Sequence, residues 1–118
     1  MFFNDVNFRM MQSGLDALAL EQKMILQNLA NVSTPGYQAK AVSFEEVLRG
    51  TRSSQNNGLT IRATVTEEHD PMRPDENTVD ADRESLKLYQ NYVSQVAMYN
   101  QISDSFSNMR YIFNQFTK

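Results

Sequence analysis

The stretch that decides the reading is "NLANVSTPGYQAK", residues 28–40. Upstream of it, apolar residues recur with helical spacing. Downstream, they alternate as in a strand. At the junction Thr34 precedes Pro35, whose ring disfavours helical dihedrals at Thr34 and whose nitrogen cannot donate to a helix ladder. The helix therefore has to end near Ser33. "TPGY" then reads as a type II turn, with Pro35 second and Gly36 supplying the positive φ at the third position. Asn28 and Asn31 are weak inside a helix but suit a last turn whose free carbonyls need donors.

Working back from the corner, Phe8, Met11, Leu15, Leu18, Gln22, Ile25, Leu29 and Val32 fall three and four residues apart. That is a coiled-coil seam with one polar interruption at Gln22. Asn4 or Asp5 is placed to cap its start. Met24 and Leu26 lie beside the seam, so the apolar surface is wider than a single stripe.

Working forward, residues 37–44 predict a short strand, followed by a single helical turn at Glu45–Leu48. "RGTRSSQNNG", residues 49–58, is polar and Gly-bounded and reads as a loop or hairpin tip. "LTIRATVT", residues 59–66, alternates cleanly and predicts a half-buried strand, with Leu59, Ile61, Ala63 and Val65 on one face. "EEHDPMRPDENTVD", residues 67–80, is acidic and contains two prolines, and it reads as a linker.

Asp80 or Asp82 then caps a second long helix, with Glu84 in its first turn where the helix dipole favours a carboxylate. Its apolar path runs Leu86, Tyr89, Val93, Val96, Tyr99, Ile102, Phe106, Met109, Phe113, Phe116. The extra three-step between Val96 and Ile102 is a stammer, which overwinds a coiled coil. The expected fold is mainly α: long N- and C-terminal helices pairing as a coiled-coil-like hairpin, with a small β-hairpin inserted between them. Its divisions are residues 1–33 for the first helix, 34–79 for the turn, strands and linker, and 80–118 for the second helix.

Two such helices facing each other leave Leu88, Tyr92, Met98, Met24 and Leu26 wet. Burying one such side chain is worth roughly 1.5–3 kcal/mol, while ordering each residue costs roughly 1–2 kcal/mol of backbone entropy. A lone hairpin of this kind is marginal, and exposed apolar helix faces mark a partner surface. The expectation is that neighbouring chains complete the helices.

The composition narrows the function. The 118 residues are 41% hydrophobic and 21% charged with a net charge of -3 and no basic run, which argues against a nucleic-acid partner. The absence of cysteine excludes disulfides and Cys-ligated zinc. No run approaches the roughly 18 apolar residues of a membrane span, and the N-terminus lacks a signal-peptide pattern. His69, the only histidine, lies among Glu67, Glu68 and Asp70 without a nucleophile motif, and reads as a solvated loop residue. The acidic run does not follow the calcium-loop alternation. No catalytic residue, metal site or cofactor is expected.

The corner carries more than a turn. Asn28, Ala30, Asn31, Thr34, Pro35, Gly36 and Tyr37 resemble the signature of the bacterial flagellar rod and hook axial proteins, with Gln38 where many members have Lys or Arg. A second segment, Arg73, Pro74, Asp75, Asn77, Val79, Asp80, Asp82, Arg83 and Glu84, resembles the approach to the C-terminal helix in proximal rod members. The resemblance implies a non-enzymatic subunit of the basal-body rod, the periplasmic shaft that transmits torque around the export channel. It also implies export through the flagellar type III apparatus without a cleaved signal. The implied partners are copies of itself, a FliE-type adapter at the rod base, and FlgC and other rod proteins.

On that reading Leu15, Leu18, Ile25 and Leu29 form the inner seam of the first helix. Val93, Val96, Ile102, Phe106 and Met109 form the seam of the second, which meets the first or a neighbour. Pro35 and Gly36 turn the chain outward and Tyr37 anchors the corner. The rival reading is a soluble coiled-coil adapter or export chaperone, which keeps the heptads but has no need of this corner.

Overall fold

In a computed structural model, residues 6–49, 58–69 and 74–117 are described. The chain runs α1 (Val6–Ala30), β1 (Lys40–Arg49), β2 (Gly58–Glu67) and α2 (Ala81–Phe116). The mainly-α architecture with a small antiparallel insertion is as expected. The capping residues expected at Asn4 or Asp5, and the loop 50–57, lie outside the described residues.

The body is long and flat, 69 × 35 × 14 Å, with a radius of gyration of 19.1 Å. A compact domain of this length has roughly 13.5 Å. α1 is the middle element, lying between α2 and the hairpin. With so few layers the core is thin: among described residues it comprises Met11, Ala17, Met24 and Ile25 of α1, with Ala39 and Val79 from the loops. Gly14 sits where the three elements meet, since a Cβ there would lie 2.9 Å from Met98 Cε and 3.4 Å from Ile61 Cδ1.

β1 and β2 pair in register from Lys40↔Glu67 to Arg49↔Gly58. The helical turn expected at Glu45–Leu48 does not form. Those residues continue the strand, where Glu45 stands opposite Arg62, an opposite-charge pair that supports this register. A two-stranded ribbon is marginal alone, and α1 stitches it down at both strands. Ser13 Oγ accepts from Ile61 N (2.9 Å) on the outer edge of β2. On β1, Asn28 pairs with the Lys40 backbone as another strand would, Nδ2 donating to its carbonyl (2.8 Å) and Oδ1 accepting from its amide (2.9 Å).

The largest correction concerns α2. Its inward residues are Glu84, Leu88, Asn91, Gln95, Met98, Ile102, Ser105 and Met109, all buried or half-buried. They form an unbroken heptad in steps of four and three, half of it polar. Leu86, Tyr89, Val93, Val96 and Tyr99, expected on the seam, are exposed instead. The expected stammer is the point where that apolar path leaves the outer face and joins the inner one at Ile102, so α2 needs no overwinding. The flank residues change places in part: Met24 is buried and Leu88 and Met98 are half-buried, while Tyr92 and Leu26 stay exposed.

Polar side chains hold the inner faces together. Asn91 Nδ2 donates to Leu18 O (2.9 Å) and to Glu21 Oε1 (2.8 Å). Gln95 Nε2 donates to Asn91 Oδ1 (2.7 Å) and Gln22 Oε1 (3.1 Å), so the interruption at Gln22 has its partner across the interface. At the far end Phe8 and Phe106 pack edge to face, centroids 6.2 Å apart.

Candidate functional site

The corner is built on α1's unsatisfied last turn. Thr34–Tyr37 closes as a turn through Tyr37 N donating to Thr34 O (3.3 Å), with Gly36 at φ 73, the type II form. A Cβ at Gly36 would meet nothing within 4 Å, so only the backbone angle calls for glycine there. Asn31 Nδ2 returns to Gln27 O (2.8 Å), and its Oδ1 accepts from Thr34 Oγ1 (3.1 Å).

Carbonyls of the corner also accept from a segment more than forty residues away. Asn77 Nδ2 donates to Thr34 O (2.7 Å), Asn31 O (3.0 Å) and Val32 O (3.2 Å). Its Oδ1 accepts from Val79 N (2.7 Å), so the side chain is bonded on both ends. Around it the backbones zip together: Gly36 N to Asp75 O (2.8 Å), Thr78 N to Tyr37 O (3.1 Å) and Glu68 N to Ala39 O (2.8 Å). Thr78 Oγ1 accepts from Ala39 N (2.7 Å). Gln38 Nε2 reaches Glu76 O (3.3 Å) beside the left-handed Glu76, φ 63.

This overturns the reading of residues 67–80 as a plain linker over residues 74–80, while residues 70–73 lie outside the described residues. Asn77, Thr78 and Val79 are among the most buried residues described. An acidic composition disguised a segment whose role is to cap a helix.

α2 leaves from the same place. Asp80 caps it, Oδ1 accepting from Asp82 N (3.1 Å) and Arg83 N (3.2 Å). Glu84, one turn on, is 2% exposed. Its Oε2 accepts from Asn28 Nδ2 (3.0 Å) and its Oε1 from Lys87 Nζ (3.2 Å), and Glu68 lies 4.0 Å from both Lys87 and Arg83. Asn28 thus joins α1, β1 and α2 through one amide. Asn28, Asn77 and Asn91 are the largest fully buried side chains described.

Tyr37 shields the corner. Its hydroxyl oxygen is hidden from solvent and makes no hydrogen bond of ordinary geometry among the described residues. Burial, then the nearby Glu67 and Glu84 carboxylates, push its pKa above the usual phenol value, while the neighbouring Asn31 amide opposes the shift. Among described residues no three histidines or carboxylates converge as a metal site would require, and His69 is exposed.

The expected seam residues divide. Ile25 is buried, and Leu15, Leu18, Leu29, Ile102 and Met109 are half-buried. Val93, Val96 and Phe106 are exposed, Phe106 keeping its contact with Phe8. The outer face of α2 is therefore apolar and uncovered. Moreover residues 88–103, between Lys87 and Asp104, contain no charged residue on any face. A solvent-facing helix ordinarily carries charge on its outer side.

The sequence pattern of the flagella basal body rod protein family matches residues 8–38, which span α1 and the corner. The flagellar basal body rod protein FlgB of Escherichia coli K12 is 31% identical over 110 residues, covering 74% of this chain and 78% of that protein. The chain belongs to the FlgB family of flagellar basal body rod proteins. FlgB of Proteus mirabilis is 30% identical over 70% of this chain and 73% of its own length. FlgB of Buchnera aphidicola, at 25% identity, aligns over 93% and 97%. The chain is accordingly a structural rod subunit, and no described helix is long and apolar enough to cross a membrane. In this FlgB-family fold the signature at residues 28–37 is half of a site whose other half is residues 75–84. Sequence reading found both halves but not their contact, because hydrogen-bond pairing across so many residues leaves no periodic signal.

Two outcomes test this clasp. Asn77→Asp keeps the acceptor but turns donors into a charge facing three carbonyls, and should cost about 2–4 kcal/mol in urea unfolding, more than Asn77→Ala. A loss under about 0.5 kcal/mol would show that the cap is dispensable. For Tyr37 the folded pKa is raised, so its contribution is intact below the unfolded phenol value of about 10 and is lost as pH rises through the folded one. The stability difference between the parent and Tyr37→Phe should stay flat to about pH 10 and then move against the parent.

Proposed function

We propose that this chain is a subunit of the proximal rod, the periplasmic shaft that surrounds the export channel and transmits torque. The observation that carries this reading is the outer face of α2, apolar, exposed and uncharged from residue 88 to 103. A side chain such as Tyr89, 66% exposed, is stabilised by roughly 1.5–3 kcal/mol when a neighbour covers it. Val93, Val96 and Phe106 then form an assembly seam between subunits, while Leu15, Leu18, Ile25, Leu29, Ile102 and Met109 serve mainly within the chain. The partners are copies of itself, a FliE-type adapter at the rod base, and FlgC and other rod proteins above. Delivery is through the flagellar export apparatus, without a cleaved signal. The work is mechanical, not catalytic, and needs no cofactor.

The clasp supports the same reading. A rod subunit has to present its helices at one fixed angle, and a buried polar network that fits only one arrangement sets that angle. Pro35 and Gly36 redirect the chain from α1 to the hairpin, and Asn28, Asn31, Thr34 and Tyr37 hold the redirected chain against residues 75–84.

The test is complementation in a strain from which this gene is deleted. The parent chain should restore motility and be recovered in purified basal bodies. Tyr89→Asp with Val93→Asp changes only exposed positions, so thermal unfolding should stay within about 0.5 kcal/mol while motility is lost. Full motility with both charges in place would refute a buried seam on this face.

A further inference from the structure

The last two turns of α2 have no cover among the described residues. Every position from Arg110 to Thr117 is exposed. They carry Tyr111, Ile112, Phe113 and Phe116, exposed by between 53% and 85%. At 100° per residue these four side chains span more than half the helix circumference. No rotation of the helix turns them all toward one neighbour within the chain.

Toward the other end of the molecule lies a groove of about 300 Å³ between α1, β1 and the first turns of α2. Leu18, Ile25, Val42 and Phe44 supply its apolar surface, and Lys40, Lys87 and Glu21 are its charged lining residues, Glu21 bonded to Asn91 Nδ2. An apolar cavity of roughly 150 Å³ holds a benzene ring, so the groove has room for two aromatic rings. Lys87 is engaged by Glu84 and Glu68, but the Lys40 ammonium has no ion pair among the described residues. α2 ends without a basic residue in its last turn, so its free carbonyls present about half a negative charge. The two features complement each other in apolar content and size, and the Lys40 ammonium offers the helix end a cation.

We propose that the C-terminal end of α2, led by Phe113 and Phe116, seats in this groove of a second copy of the chain, with Lys40 facing the carbonyl end of the docked helix. The inference rests on the rod-subunit reading and names one contact within it. Docking inside one molecule is impossible: Ser94, at the groove, is separated from Phe116 by 22 residues of continuous helix, roughly 33 Å. The contact is heterologous, with ridge and groove at different places on one body, so it repeats head to tail from copy to copy.

The chain has no cysteine, which makes the test clean. Ser94→Cys, at the groove, is combined with Thr117→Cys, beside the docking residues, and the concentrated full chain is treated with a short bismaleimide. The expected result is a ladder of dimers, trimers and longer species. Phe113→Ser with Phe116→Ser should cut the yield at least about tenfold, and Lys40→Glu should lower it too. Thr64→Cys with Thr117→Cys places the first thiol on the exposed side of β2, away from the groove, and should give little product. Absence of a ladder, or an equal ladder from the Thr64 pair, overturns the proposal. Recovery of the cross-link-negative chain in basal bodies would then show that the docking contact fails while the rod reading stands. Failure to recover the chain there would instead count against the rod reading itself.

Discussion

One carboxamide governs the shape of this chain. Asn77 reaches across from the segment before α2 and satisfies three carbonyls at the end of α1. Asn31 O and Thr34 O also accept from Thr34 N and Tyr37 N, so Asn77 adds a second donor at each and a side-chain donor to Val32 O. With it, the corner, the start of β1 and the start of α2 are fixed together. Asn28 and Glu84 complete the arrangement from the helical side. Asn28 and Glu84 hold each other, the Lys40 backbone and Lys87, so this half of the clasp carries its own bonds beside those of Asn77.

That constraint explains how polar residues come to line the interior while apolar ones line the surface. α2 is set down on α1 through Glu84, Asn91, Gln95 and Ser105 as much as through Leu88, Met98 and Ile102. Eleven of the large apolar side chains exposed among the described residues lie on α2. Such an arrangement weakens the isolated subunit and leaves its most hydrophobic surface exposed. A polar interface specifies one geometry where a uniformly apolar one tolerates slippage. A shaft built from many contacts has use for both properties.

Much of this was legible in the sequence, but unevenly. The helix stop at Thr34-Pro35, the positive φ at Gly36 and the cap at Asp80 are local, and local chemistry announces them. The strand "LTIRATVT" showed its alternation. The continuation of β1 through Glu45–Leu48 was hidden, because those residues suit a helical turn equally well and only pairing with β2 decides. The facing of α2 was misread for a related reason. Following apolar residues traces the most hydrophobic face, and here that face points away from α1. Asn77 and Asn91 gave no sign of burial, since an asparagine buried by hydrogen bonds to backbone 43 or 73 residues away looks like any surface asparagine. The match to known rod proteins located the signature but not the partner that completes it.

In the proposed function the outer face of α2 is open in the free subunit and covered in the rod. Tyrosine modification measures this directly, because Tyr89, Tyr92 and Tyr99 lie on that face and are well exposed. The isolated chain and purified basal bodies would be treated alike, and each tyrosine quantified by mass spectrometry. All three should be readily modified in the free chain and strongly protected in the basal body. Equal modification in both would contradict it, leaving the apolar face without the neighbours that its composition demands.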